Sequence, residues 1–281
     1  MNTSATQDAT IEKIKHRWRL GIQRGDDSRY RDAQMDDHSR LPRYKFPHHS
    51  ITLSLRARAS SDSIPGTWGF GLWNCPFGLS LGFGGNPFRL PALPNAVWFF
   101  HASKENYLSF KSSSTNSGLD TCTALHLPWR AVPGNAARCR CTSREKSPSP
   151  ARPPVGNGFM VQTFRSPKFH PLLMLAGLAF PFSRKTTRKL LSKIIGEDGV
   201  KLGVDVTRWH AYKFEWEKSR VTFWVDNIQA LESSVSPNPP LGIIIWIDNQ
   251  YAAFTPEGKI GFGVLENPEP AWIEICDLEM S

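Results

Sequence analysis

At 281 residues and 31.6 kDa, with 40% hydrophobic residues, the chain can build one large β domain or two modest ones, which excludes a fibrous or wholly unfolded protein. Ten Trp and 17 Phe outnumber five Tyr, and 22 Pro with 21 Gly interrupt any long helical run, so strands and turns are favoured. The net charge of +9 is uneven: residues 101–192 hold 14 basic and three acidic groups and residues 193–281 hold seven and 14, so the basicity belongs to one middle segment and no nucleic-acid partner is expected.

Residues 1–45 are polar and charged and read as a loosely packed N-terminal arm, with a short helix where Ile11, Ile14, Trp18 and Ile22 recur at helical spacing. The first residues carry no apolar run of signal-peptide type, so a cytoplasmic location is expected. From Phe46 the texture changes. Ile51, Leu53, Leu55 and Ala57 alternate with Ser50, Thr52, Ser54 and Arg56, the period of a half-buried strand. Gly66 to Asn74 reads as a second strand and Asn95 to His101 as a third, joined by a Gly/Pro-rich loop from Gly78 to Pro94. Together, residues 46–110 make the first part of a β-sandwich.

Residues 111–157 lose all periodicity and become Ser, Thr, Pro, Arg and Cys in no repeating order, the composition of a disordered insertion or of a gene-model artefact. Residues 158–200 read as an apolar loop, Pro171 to Phe182, followed by a basic helix from Ser183 to Gly196. The apolar stretch is about a dozen residues, against the roughly 20 that span a bilayer. No transmembrane segment is expected, and weak association with a membrane surface through 171–196 is the lesser reading. Five cysteines without a CxxC pair define neither a disulfide framework nor a zinc site, and no metal or cofactor is expected.

Residues 201–281 are the most orderly. Trp209 to Glu217 alternates, with His210, Tyr212, Phe214 and Trp216 on one face; Lys218-Ser219-Arg220 turns the chain into Val221 to Asp226, and Asp226-Asn227 turns it again, an antiparallel meander. Leu241 to Gln250 is apolar on both faces and therefore central. Lys259 to Leu265 and Ala271 to Leu278 supply further strands.

The run Trp209-His210-x-Tyr212-x-Phe214-x-Trp216, followed by Val221-Thr222-Phe223-Trp224-Val225-Asp226-Asn227, resembles concanavalin A-like lectin/glucanase domains, especially family 16 glycoside hydrolases. Gly66-Thr67-Trp68 through Trp73 is similar to the aromatic strand that precedes the active site there. The resemblance implies an all-β, two-sheet antiparallel β-sandwich of jelly-roll type with a concave, ligand-binding face. It does not carry the activity over. Retaining hydrolases of that family place two carboxylates about 5 Å apart on one strand in an E-x-D-x-x-E pattern, whereas Asn95 to His101 holds none and Glu105 lies beyond it.

By parity, Ile244, Trp246, Asp248 and Gln250 share one face of their strand and Ile243, Ile245, Ile247 and Asn249 the other. One reading is an aromatic groove binding a saccharide or small apolar metabolite through Trp73, Trp98, Trp246, Asp248, Asn249, Gln250 and Tyr251. The other is a buried polar network tying down the next loop. An enzyme on the same groove, a non-hydrolytic cyclase or isomerase, would use Asp248 with His101 as the proton-moving pair if the two face each other; a diverged glycosidase would use Asp248 with Glu105.

Overall fold

The first 36 residues form four strands where a loosely packed arm was expected: β1 (Asn2–Ala5), β2 (Ala9–Ile14), β3 (Arg17–Ile22) and β4 (Asp32–Asp36). The helical spacing of Ile11, Ile14, Trp18 and Ile22 is accidental. Lys15, at φ 57°, turns the chain so that Ile14 pairs with Arg17 and Ile11 with Leu20. Leu20 and Ile22 then point into the core, while the polar residues of β2 and β3 stand on strands at or near a sheet edge, where charge discourages pairing with other chains.

The computed structural model describes residues 1–76, 92–111, 156–167 and 183–281. The Gly78 to Pro94 loop and the insertion expected at 111–157 fall almost wholly outside them, and the apolar run Pro171 to Phe182 entirely so. Strand β5 (Ile51–Ala59) buries every second residue from Ile51 to Ala59, as its alternation predicts. There follow β6 (Thr67–Trp73), β7 (Ala96–Ala102) and β8 (Gly158–Arg165). Helix α1 (Arg184–Ile194) is capped by the Ser183 side chain, which accepts from the Thr186 amide. Then come β9 (Gly196–Lys201), the meander β10 (His210–Trp216), β11 (Val221–Val225) and β12 (Ile228–Ser233), and β13 (Gly242–Asp248), β14 (Gln250–Phe254), β15 (Ile260–Val264) and β16 (Ala271–Met280). The segment 158–200 thus contains two strands besides the expected helix. No helix among the described residues is long and apolar enough to cross a membrane.

The architecture is a two-sheet antiparallel β-sandwich. One seven-stranded sheet has the order β1-β4-β13-β6-β7-β8-β9 and the other β12-β11-β10-β5-β16-β3-β2, while β14 and β15 form a separate hairpin. Asp226 and Asn227, both at positive φ (49° and 65°), make the two-residue turn between β11 and β12. Asn and Asp tolerate that left-handed region better than other side chains, which is why the dipeptide signals a turn. Between the sheets, Trp68, Phe70 and Phe99 from the first meet Tyr212, Phe214 and Phe223 from the second, with Phe99 5.0 Å from Tyr212 and 5.4 Å from Phe223 between ring centres. β13 is paired on both edges, by β4 and β6, and covered on both faces: Ile243, Ile245 and Ile247 enter this core, and Ile244 and Trp246 enter a second cluster on the outer face of the first sheet.

Candidate tryptophan site on the first sheet

Register across the first sheet builds the outer face row by row. Asp32, Asp248, Thr67 and Ala102 stand side by side; next come Gln34, Trp246, Gly69, Phe100 and Met160; then Asp36, Ile244, Gly71, Trp98 and Gln162; and last Gly242, Trp73, Ala96 and Phe164. The glycines of β6 are steric requirements. A Cβ on Gly69 would lie 2.9 Å from the Trp246 ring and 2.5 Å from the Phe99 carbonyl oxygen, so only glycine lets the rings settle over the strand.

Trp73, Trp98 and Trp246, expected in one groove, do come together. Trp73 stacks on Trp246 at 6.2 Å and 7°, and Trp98 lies 6.3 Å from Trp73 and 5.7 Å from Trp246. Phe100 extends the cluster 5.3 Å from Trp98. The face is not the open groove that was expected. Trp98 and Trp246 are only 5% and 7% exposed, Trp73 is half-buried, and Leu93, Leu108, Phe110, Leu191 and Ile195 pack over the cluster. Arg188 of α1 latches part of this cover: its guanidinium donates to the carbonyls of Ser109 (2.5 Å), Phe110 (3.2 Å) and Phe254 (2.8 Å).

The polar groups divide sharply. Trp246 Nε1 donates to Thr67 Oγ1 (2.9 Å), which donates to Asp248 Oδ1 (2.7 Å). Trp73 Nε1 donates to His38 Nε2 (2.9 Å). Trp98 Nε1 and Gln162 Oε1, by contrast, are buried with no hydrogen-bond partner among the described residues. They belong to directly paired residues of β7 and β8 on the same face. Gln162 cannot turn to satisfy its oxygen without losing a bond, because its Nδ-equivalent amide nitrogen, Nε2, donates to Glu197 Oε1 (3.2 Å), and Glu197 also holds the Phe110 amide (2.6 Å).

Asp248 sits at the end of the face. Burial pushes its carboxyl up to about 7, against the hydrogen bonds from Thr67, the Gln250 amide and Tyr30 that favour the ionised form. Asp32, directly opposite on β4, is held well above the usual carboxylate range by burial and by the charges of Asp248 and Asp36. His101 does not face this pair. It pairs with Trp68 in register and stacks on that ring at 5.5 Å and 12° on the inner side of the sheet, so the expected His101–Asp248 proton-moving pair is not formed. One residue of parity separates them. Asn249 is turned inward and wholly occupied: it accepts from the Arg31 amide (2.8 Å) and donates to the carbonyls of Arg29 (3.1 Å) and Leu265 (2.9 Å), the network reading of the polar tetrad. Gln250 and Tyr251 belong to the separate β14–β15 hairpin and are half-buried. Glu105 lies beyond β7, lining a different hollow that also touches His101.

Gln162, Tyr30, Asp32 and Thr67 escaped the sequence reading. The signal for Gln162 was a short run rich in apolar and β-forming residues, Phe159 to Phe164, inside a stretch read as a loop; its burial is continuous, as in a central strand.

No protein-family model matches the chain, and no curated protein does. Among solved structures it is similar to a legume lectin-like domain from Entamoeba histolytica, at 9% identity and a TM-score of 0.43, covering 100% of this chain and 89% of that one. It is also similar to a GlcNAcα1-4Gal releasing endo-β-galactosidase from Clostridium perfringens, at 12% identity and a TM-score of 0.41, covering 95% of this chain. A third is the binding domain of botulinum neurotoxin DC in complex with SialylT, at 6% identity and a TM-score of 0.41, covering 99% of this chain. The chain spans 53% of the length of the second and 42% of the third.

Proposed function

We propose that the chain is a binding protein for a saccharide or a comparable small hydroxylated molecule, held on the tryptophan face of the first sheet. The observation that carries this reading is the pair of buried, partnerless atoms Trp98 Nε1 and Gln162 Oε1 among stacked rings. One is a donor and the other an acceptor. A ligand hydroxyl accepts from the indole N–H and donates to the amide oxygen at once, while its C–H face lies against an aromatic ring. Buried polar groups left without partners are costly, so a ligand that reaches and satisfies both gains a hydrogen bond to each. Trp73, the half-buried ring, marks the margin of the face.

Titration of tryptophan fluorescence with galactose, N-acetylglucosamine, lactose and a panel of apolar metabolites tests the reading. A saccharide is expected to quench, and Gln162→Leu and Trp98→Phe are each expected to weaken its binding about tenfold, the effect of one lost hydrogen bond. Silence across both panels, or variants that bind as tightly as the parent, would refute it.

A second reading, an enzyme on the same face, is favoured by the carboxyl of Asp248, which titrates near neutrality opposite Asp32. On that reading Asp248→Asn abolishes turnover of a bound glycoside and leaves its affinity intact. Unchanged turnover eliminates the enzyme and leaves the binding protein.

A further inference from the structure

His101 and Glu105, set apart from the tryptophan face, meet elsewhere. A cavity of about 660 Å³ opens between the Asp62–Pro65 turn, the Ala102–Glu105 segment after β7, Asn157–Gly158 before β8 and the Leu265–Pro268 segment after β15. Its volume is in the range of sites that take a small organic molecule.

Carboxylates outnumber ammonium groups around it: Asp62, Glu105 and Glu266 line the cavity with Lys104, and Lys201 Nζ lies beside Gly158 of its wall. Lys104 is 91% exposed and only 4.0 Å from Glu105, a loose surface pair that leaves the Glu105 carboxylate available. Asp62 and Glu266 form no salt bridge among the described residues. His101, 3% exposed, forms part of the wall. Its Nε2 donates to the Asp62 carbonyl oxygen (3.1 Å), which leaves the Nδ1 lone pair buried and without a partner among the described residues. Burial draws its pKa down to about 4, with the charge of Lys201 acting in the same direction, so the ring is neutral at pH 7 and adds no positive charge to the site. Pro65 and Leu265 supply apolar wall.

Among the described residues no group of three or more His, Cys, Asp or Glu side chains is placed to hold a metal ion, so the carboxylates are too dispersed to coordinate one point charge. Dispersed carboxylates around an apolar wall suit a larger cation. We infer that this cavity is a second ligand site, separate from the tryptophan face, for a small organic cation: a protonated amine on an apolar body.

Calorimetric titration with cyclohexylamine, cyclohexanol and cyclohexanecarboxylate at pH 7 tests the assignment, with Glu105→Gln, Glu266→Gln and their combination as variants. The amine alone is expected to bind. Each single variant should weaken it about threefold and the double variant about tenfold, as partly exposed charge pairs do, and raising the salt should weaken it further. Thermal melting of the variants reports whether they fold, and both positions are at the surface margin where amide isosteres are accommodated. Gln162→Leu, on the tryptophan face, should leave amine binding unchanged. The assignment is overturned if no heat is seen with the amine, if the alcohol or carboxylate binds as well, if folded Glu→Gln variants bind the amine like the parent, or if Gln162→Leu removes binding.

Discussion

Replacing Asp248 by asparagine is expected to stabilise the protein at pH 8 by about 3 kcal/mol and to change it little at pH 4. Asparagine keeps an oxygen for the Thr67 and Gln250 donors and loses only the charge. The sign follows from the raised pKa. In the unfolded chain Asp248 ionises near its ordinary value of 3.8; in the folded protein it does so near 7. Between those two pH values the folded state holds a proton that the unfolded state has released. Stability therefore falls as pH rises through that window, by up to about 4 kcal/mol, and the loss is complete above pH 7. His101 works the other way. Its folded value of about 4 lies below the ordinary 6.5, so the unfolded state binds the extra proton and stability rises with pH over that range, by about 3 kcal/mol. In the parent protein these two slopes largely cancel; in Asp248→Asn the rising slope of His101 is no longer offset by Asp248. Asp32 adds to the gain at high pH, since it loses a like charge directly opposite. Urea unfolding at pH 4 and pH 8 reads the difference. An equal effect of the substitution at both pH values would show that Asp248 is ionised in the folded protein throughout.

Asn249→Ala is expected to cost about 3 kcal/mol of stability and to leave saccharide binding within twofold of the parent. The side chain is fully buried and joins three segments: the Arg29–Arg31 approach to β4, the end of β13 and the end of β15. Alanine removes three hydrogen bonds and leaves the Arg31 amide and the Arg29 and Leu265 carbonyls without that partner, at about 1 kcal/mol each. The backbone bonds that Asn249 makes with Arg31 and Leu265 remain, so the segments loosen without parting. The urea midpoint gives the cost, and the fluorescence titration gives the affinity. A variant as stable as the parent that no longer binds would move Asn249 from the frame of the protein to its ligand face.

Legibility differed from segment to segment for a physical reason. The strands at Ile51, Thr67, Ala96, His210 and Gly242 were readable because each is paired on both sides, so its burial follows the period of two or is continuous. The strands at the N-terminus were missed because edge and near-edge strands carry charge on residues that a central strand would bury, and a tight turn at Lys15 gave the apolar residues a helical interval by chance. β8 was missed because its eight residues stand between two long stretches of different texture and are buried continuously, without a period of two.

The same contrast holds for the site. Three tryptophans on three strands could be proposed as one face, because side chains of equal parity in antiparallel strands share a side of the sheet. Parity within one strand was also enough to separate Asp248 from Asn249. What the sequence cannot contain is the register between strands distant in the chain. It is register that seats Thr67 beside Asp248, Trp98 beside Gln162 and His101 beside Trp68, whereas parity within β7 already places His101 on the side opposite Trp98. The amino-acid order thus determined an all-β sandwich with a tryptophan-rich strand face. Only the tertiary structure decided that this face is covered, that two of its polar atoms lack partners, and that His101 and Glu105 line another cavity, since pairing across the sheets is settled by the packing of the whole core.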